Sequence, residues 1–361
     1  MSQNKRNKNN FETGANLEPL ESLDLNKIED FDQVLAAMSK TSFGGRQLGN
    51  AADILTEMFA DPGDLTVLTL SGALTVAKQG LIISELIERK LVDIVVSTGA
   101  LITHGLIDGM DIKHYKAPAE HDAELYKKGM CRVYDTIELE TSLAELQKLV
   151  QNSLETLMPA SYGKGQPEGS AGFLKRLGKL IAENYPDQRS ILSAAYKAGI
   201  PVYIPAFTDC ELSLDLFIKA LSVEKSFLEN PFDEMFTPSF NPFIDLFDYA
   251  KRVYNHEGKM SIFTLGGGVP RNWAQQITPL FDIMYLEKLP VEPKLFSKGV
   301  RVCPEPVHWG GLSGCTYQEG ISWAKFLPES EGGKYAEVMS DATTVLPILI
   351  KGILQRIEKN K

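Results

Sequence analysis

The chain has 361 residues, of which 43% are hydrophobic and 23% are charged, and its formal net charge is -10. This composition supports a sizeable hydrophobic core, and the acidic balance argues against nucleic acid as the main partner, because phosphate binding requires a basic surface. No apolar run approaches the roughly 18 residues that cross a membrane, and the polar, basic start of the chain is unlike a signal peptide, so we expect a cytoplasmic protein without a membrane partner.

The order of the predicted elements indicates an α/β fold. Residues 1–16 are rich in Asn and Lys and hold little to bury, so they are predicted to form a mobile N-terminal tail. In residues 17–361, apolar strands alternate with amphipathic helices, beginning with two helices of which the second covers about 45–59. This alternation predicts a single domain with a Rossmann-like, open, mostly parallel sheet and helices on both faces.

The first predicted strand–helix–strand unit lies between residues 65 and 100. Its two strands contain Ser71 and Gly72, and Thr98 and Gly99, near their carboxyl ends. Ligands of open α/β sheets bind where parallel strands end, so these small and hydroxyl residues are candidate ligand contacts. Ordinary strand-to-helix turns have a similar composition and are an equally good interpretation of these residues alone.

Three histidines, His104, His114 and His121, lie close together in the next part of the chain. Ten residues separate the first two and seven the next two, so no helix or strand spacing places all three on one face. The four cysteines are far apart and form no CxxC pair. We therefore expect the histidines to be unrelated polar residues and predict no metal site.

A third strand, at about 200–207, follows helices predicted at 142–158, 173–185 and 190–199. Asp209 comes directly after this strand and Asp215 lies six residues further on. A carboxylate at the end of a parallel strand is well placed to meet a ligand, although Asp209 would serve equally as a helix N-cap.

A fourth strand, at 260–265, is followed at once by Gly266, Gly267 and Gly268. Three glycines allow a backbone to approach a pyrophosphate or ribose closely. Beyond them, residues 281–289 are predicted to form another strand and residues 345–359 a closing amphipathic helix. The Phe-rich residues 230–259 are predicted to serve in packing or in a subunit interface.

The most distinctive stretch covers residues 310–325. Glycines at its start permit close approach to a ligand, and a short helix predicted from Tyr317 places Glu319 and Trp323 on one face. A poorly solvated lysine beside an indole has its ammonium form disfavoured, which makes Lys325 a candidate nucleophile for an imine or carbonyl carbon. The alternative is a surface lysine at the end of an amphipathic helix.

This stretch resembles a known family. GISWAK at 320–325, preceded by WGGLSG at 309–314 and followed by residues 338–350, is similar to the active-site segment of the deoxyhypusine synthases and their bacterial homologues, including homospermidine synthases. The resemblance implies an NAD-dependent transferase, tetrameric in this family, that moves the butylamine unit of spermidine onto a lysine and then onto an acceptor amine.

The resemblance also implies roles for individual residues. Lys325 matches the imine-forming lysine, and polyamine contacts are implied for Glu319, Trp323 and Asp215. Asn272 stands where eukaryotic members have a histidine, a turn containing Gly310, Gly311 and Leu312 replaces their acid-rich turn, and His104 replaces a glutamate. NAD contacts are implied for Ser71, Gly72, Thr75, Thr98, Gly99, Asp209, Gly266, Gly267, Gly268, Asp341 and Ala342.

The altered turn leaves the lysine and NAD chemistry intact but changes a region that contacts the substrate. Three functions therefore stay open. The first is transfer to a small amine, giving homospermidine. The second is transfer to a lysine of a hypusine-type translation factor, as in deoxyhypusine synthase. The third is a non-catalytic NAD-binding protein on the same fold, which the presence of Lys325 disfavours.

Overall fold

The computed structural model describes residues 17–157, 167–222 and 240–360. The predicted N-terminal tail lies outside these ranges, as do residue 158 of the predicted helix at 142–158 and residues 230–239 of the Phe-rich segment. The division into a tail and one domain stays a prediction.

Six parallel strands form the main sheet, in the spatial order β6-β2-β1-β7-β8-β9. Every neighbouring pair in this sheet runs parallel. The predicted Rossmann-like, mostly parallel sheet is therefore confirmed. The strands are β1 Asp64–Leu70, β2 Ile94–Ser97, β6 Val202–Tyr203, β7 Lys259–Leu265, β8 Phe296–Val302 and β9 Lys334–Val338.

Helices cover both faces of this sheet, because successive strand residues pack into two different hydrophobic clusters. In β1, Leu68 belongs to one cluster and Val67 to the other, and Val95 and Val96 of β2 divide in the same way. In the part of the chain that the structure describes, no helix combines the length and apolar character needed to cross a membrane. The helices are α1 Phe31–Ser39, α2 Phe43–Ala60, α3 Gly80–Glu88, α4 Gly99–Gly109, α5 Asp122–Lys127, α6 Glu140–Leu157, α7 Ser170–Asn184, α8 Ile191–Ala198, α9 Glu211–Ser222, α10 Pro242–Asn255, α11 Gly268–Gln275, α12 Ile277–Leu286, α13 Tyr317–Ile321 and α14 Ala342–Lys359.

A second, antiparallel sheet lies between α4 and α6. It consists of β3 Tyr115–Lys116, β4 Met130–Val133 and β5 Thr136–Leu139, with β5 in the centre. No element was predicted here, because the strands are too short to show a clear alternation of apolar and polar residues. This small sheet forms one side of the cavity described below.

The prediction of a strand at 281–289 is wrong, since most of this segment belongs to the helix α12. Ile277 and Phe281, four residues apart, are both buried and pack on one side of the main sheet. A short apolar run fits a buried strand and a buried helix equally well, and the choice is made by what the run packs against.

Candidate active site at the carboxyl ends of the strands

A cavity of about 850 Å³ lies at the carboxyl ends of β1, β7 and β8. Of the eleven residues with implied NAD contacts, five line it together: Ser71, Gly72, Gly266, Asp341 and Ala342. Its opposite wall includes Tyr115, Tyr134 and Asp135 of the small antiparallel sheet and its turn. Its size is within the usual range of about 300–1,000 Å³ for ligand pockets.

The triple glycine joins this cavity to the lysine segment. Gly266 has a φ of 81°, and the backbone N–H of Gly267 donates to Oγ of Ser71 at 2.8 Å. A Cβ on Gly267 would lie only 2.6 Å from Cα of Ser313. Gly267 is therefore required by the close approach of the 310–325 segment, a reason that the sequence alone did not provide.

The other residues with implied NAD contacts lie around the same edge but have different surroundings. Thr75 is buried and its hydroxyl donates to the carbonyl of Leu101 at 2.8 Å. A Cβ on Gly99 would lie 2.3 Å from Cβ of Cys210, so this glycine permits close packing of α4. Asp209 is exposed in the loop before α9.

A dinucleotide is compatible with this edge of the sheet. The helices α4 and α11 begin there, at Gly99 and Gly268, and within the described ranges the side chain of Thr98 makes no capping bond while Gly267 has no side chain to make one. Their first-turn N–H groups remain available for phosphate oxygens, which helix N-termini bind well. The carboxylate of Asp341 caps α14 by accepting from the N–H of Thr343 at 2.9 Å.

The helix before Lys325 is shorter than predicted. α13 ends at Ile321, and Ala324 has a φ of 53° while the N–H groups of Ala324 and Lys325 donate to the carbonyls of Ile321 and Gly320, each at 3.1 Å. These two bonds form a Schellman motif, which stops a helix by turning the chain through a left-handed residue. The prediction that Glu319 and Trp323 share a helical face is therefore wrong, because Trp323 lies beyond the helix.

Lys325 is half-buried, and its Nζ donates to Oδ1 of Asn272 on α11 at 3.0 Å. Burial lowers the pKa of the Lys325 amine, and the positive charge of Arg271 lowers it further. Arg271 is itself buried and lies over the ring of Tyr317, with 5.5 Å between its Cζ and the ring centroid. A lysine held by a neutral amide beside a second cation has the electrostatic setting of a nucleophilic amine.

Sequence reasoning missed Arg301, which fixes the position of the lysine segment. This arginine of β8 is 1% exposed and donates to the carbonyls of Ser313 and Cys315 and to Oε2 of Glu337. The second oxygen of Glu337 accepts from the N–H of Tyr317 at 2.8 Å, at the start of α13. An arginine flanked by Val300 and Val302 was the available signal, because a buried guanidinium needs several acceptors.

The predicted polyamine contacts fall into two groups. Glu319, Trp323 and Leu312 are all exposed, and Gly310 and Gly311 form the turn that precedes them. Asp215 is buried on α9 instead, where it accepts from Nε2 of Gln147 at 2.7 Å. Among the described residues, no hydrogen bond or ion pair joins Asp215 to the lysine segment.

The prediction that the three histidines are unrelated is wrong for two of them. His104 and His114 both lie close to the buried carboxylate of Glu138, whereas His121 is exposed before α5. Folding of the small sheet onto α4 brings the first two together.

Comparisons with known proteins identify the family of this chain. The sequence profile of the family "Deoxyhypusine synthase" matches residues 33–353. A protein named "Probable deoxyhypusine synthase 2" from Archaeoglobus fulgidus is 30% identical over 319 residues, covering 88% of this chain and 96% of the relative. A "Deoxyhypusine synthase-like protein" from Chlorobaculum tepidum is 28% identical, covering 92% and 88%.

The fold agrees as well. The crystal structure of a candidate deoxyhypusine synthase from Entamoeba histolytica covers 93% of this chain and 97% of its own, with a TM-score of 0.56 at 13% identity. At that identity the likeness concerns the fold alone, while the profile and the sequence relatives span nearly the whole chain. The chain therefore belongs to the deoxyhypusine synthase family.

Proposed function

We propose that this protein is an NAD-dependent aminobutyltransferase that moves the butylamine unit of spermidine through an imine on Lys325 to an acceptor amine. The observation that carries the proposal is the half-buried amine of Lys325, whose pKa is lowered and whose hydrogen-bond partner is the neutral side chain of Asn272. In that setting a larger share of the lysine is neutral at a given pH than for a free lysine, and only the neutral amine is a nucleophile.

Bond changes at Lys325 follow from this chemistry. Its nitrogen forms a C=N bond to the oxidised carbon of the butylamine unit, and 1,3-diaminopropane leaves with the electrons of the broken C–N bond and a proton. The acceptor amine then takes the place of Lys325 on the same carbon and frees the lysine. Oδ1 of Asn272 accepts one N–H of Lys325, which leaves the nitrogen lone pair free for attack.

The residues around the cavity would hold the cofactor. Ser71, Gly72 and Gly266 line the strand ends, Asp341 and Ala342 line the start of α14, and the first turns of α4 and α11 offer free N–H groups. NAD bound there would accept a hydride from spermidine and return it to the product.

The exposed side chains beside Lys325 suit a polyamine. A cation placed over Trp323 would gain roughly 0.5–2 kcal/mol, and Glu319 supplies a carboxylate for an ammonium group. Asp215 lies apart from these residues within one chain. We propose that the family's tetramer, with sites at subunit interfaces, brings such acids to the lysine segment of a neighbouring copy.

For the acceptor we propose a small amine, with homospermidine as the product when the amine is putrescine. The turn before the lysine helix carries the exposed, apolar Leu312. Eukaryotic enzymes have acids in this turn, so the amine end of the substrate is bound differently here. A lysine of a hypusine-type translation factor is the second candidate, favoured by relatives named deoxyhypusine synthase.

A single assay separates these candidates. Purified protein is incubated with NAD, spermidine labelled in its butylamine unit and excess putrescine, and the products are separated. Labelled homospermidine is expected. Label found only on an added translation factor would favour the protein acceptor, and NAD binding without any spermidine-dependent product would show a non-catalytic protein.

The pH dependence of transfer should report the charge of Arg271. Because attack requires the neutral amine, the rate should rise with pH through the pKa of Lys325, and the inflection should lie below the ordinary lysine value of 10.5. In Arg271→Met the loss of a nearby cation should raise this pKa and move the inflection to higher pH. Arg271→Lys keeps the charge and is the matched control. Identical inflections in the two variants, measured by single-turnover kinetics, would contradict the electrostatic role.

A further inference from the structure

Three side chains from separate parts of the chain converge beneath the small antiparallel sheet. His104 lies on α4, His114 follows that helix, and Glu138 lies on β5. One ligand atom from each lies within 4.8 Å of the other two. Glu138 is 1% exposed and the His114 side chain 2% exposed, while the His104 side chain is 24% exposed, so one side of the cluster is open to solvent.

One polar atom of each of the three side chains lacks a hydrogen-bond partner among the described residues. Among the described residues, Nδ1 of His104, Nε2 of His114 and Oε1 of Glu138 are all buried and have no aligned hydrogen-bond partner. Nδ1 of His104 comes within 2.6 Å of Oε2 of Glu138 without the alignment of a hydrogen bond. Buried polar atoms are rarely left unpaired, and a buried carboxylate needs a cation close by.

We infer that His104, His114 and Glu138 form a binding site for a divalent transition-metal ion of the zinc class. Two imidazoles and one carboxylate are a common ligand set for Zn²⁺ sites that keep a fourth position open. His114 also lines the cavity at the strand ends, so the open position and the access route lie on that side. This inference does not depend on the proposed transferase function.

The geometry requires a modest contraction around the ion. With bonds of about 2.0–2.2 Å, two ligands of a tetrahedral Zn²⁺ lie about 3.3 Å apart. The separations of up to 4.8 Å between these atoms must therefore shrink, and the short contact between His104 and Glu138 must open. Rotation about side-chain bonds can supply changes of this size.

Metal binding by His114 requires a change around its other ring nitrogen. Burial, followed by the charge of Lys78, lowers the pKa of His114. Nζ of Lys78 donates to Nδ1 of this ring at 2.6 Å, since an ammonium group has no acceptor, and the carboxylate of Asp108 lies 3.9 Å from Nδ1. In this arrangement the proton of the neutral ring is on Nε2, so metal binding there requires that proton to move to Nδ1 and Lys78 to turn away. The carboxylate of Asp108, which Lys78 also contacts, can then accept from Nδ1, as partners of ligating histidines commonly do.

The competing interpretation is an ion pair without metal. The nearness of Glu138 raises the pKa of His104, and a protonated His104 would supply the cation that the carboxylate needs. Only direct metal binding separates the two interpretations, because both predict that the cluster stabilises the fold.

The test uses the full chain after removal of metals with a chelator and dialysis. Co²⁺ is added while visible absorption is recorded, and Zn²⁺ binding is measured by calorimetry. We expect one equivalent of either ion per chain, with absorption bands of a four- or five-coordinate Co²⁺ that Zn²⁺ abolishes. If the unaltered protein gives no Co²⁺ absorption bands and no heat of Zn²⁺ binding, the inference is overturned in favour of the ion pair.

Variants then locate the site. His114→Gln and Glu138→Gln should each weaken Zn²⁺ binding by roughly tenfold to a hundredfold or more, since even the partners of metal ligands commonly contribute that much. His121→Gln changes a nearby histidine outside the cluster and should bind as the unaltered chain does. If circular dichroism shows that one of these variants is unfolded, His104→Gln is measured in its place. Equal affinity in all folded variants would place the metal elsewhere and overturn the assignment.

Discussion

Replacing Lys325 with arginine should abolish transfer of the butylamine unit, lowering turnover by at least roughly a thousandfold, the scale seen when a covalent nucleophile is removed. Arginine keeps the positive charge and much of the length, but its guanidinium does not deprotonate in proteins and cannot attack an imine carbon. An N–H group of arginine could still donate to Oδ1 of Asn272, as Nζ of Lys325 does. A loss of transfer activity would therefore report the chemistry of the amine rather than a change in packing.

Borohydride trapping gives this prediction a second readout. Reduction during turnover should convert the lysine imine to a stable amine, and peptide mass analysis should find the added butylamine unit on Lys325. Lys351→Arg, which alters an exposed lysine of α14, is the matched control and should react normally. Normal transfer by Lys325→Arg, or an adduct on another residue, would contradict the assigned role.

Replacing Lys298 with methionine should lower the free energy of unfolding by about 3–5 kcal/mol, as expected when one partner of a buried ion pair is removed. Nζ of Lys298 lies 2.6 Å from the carboxylate of Asp64, which also accepts from the hydroxyl of Ser261. Both charged side chains are buried between β1, β7 and β8. Methionine fills a similar volume but leaves the Asp64 carboxylate without a counter-charge.

Chemical denaturation measures this effect, and a second ion pair supplies the comparison. Lys334 also lies 2.6 Å from a carboxylate, that of Glu57, but both side chains are about half exposed. Lys334→Met should therefore cost only about 0–1 kcal/mol. The double variant Asp64→Leu with Lys298→Met should recover much of the loss. An equal loss in the free energy of unfolding for Lys298→Met and Lys334→Met would show that burial does not set the contribution of the Asp64 pair.

The sequence by itself determined four strands of the main sheet, β1, β2, β6 and β7, and the segment that carries the candidate nucleophile. Apolar runs of strand length, such as those containing Leu68 and Val95, can be buried on both faces only in a parallel sheet covered by helices. The glycine-rich segment before Lys325 was recognisable because its residues are adjacent in the chain. Local patterns of this kind need no knowledge of distant contacts.

Only the tertiary structure decided which distant residues meet. The close approach of Ser313 to Gly267, the bonds from Arg301 to the lysine segment and the convergence of His104, His114 and Glu138 all join different elements. The helical form of α12 also depended on the surface it packs against, because a short apolar run suits a strand or a helix. Sequence spacing fixes which residues share a face of one element, but contacts between elements follow from how their faces pack together.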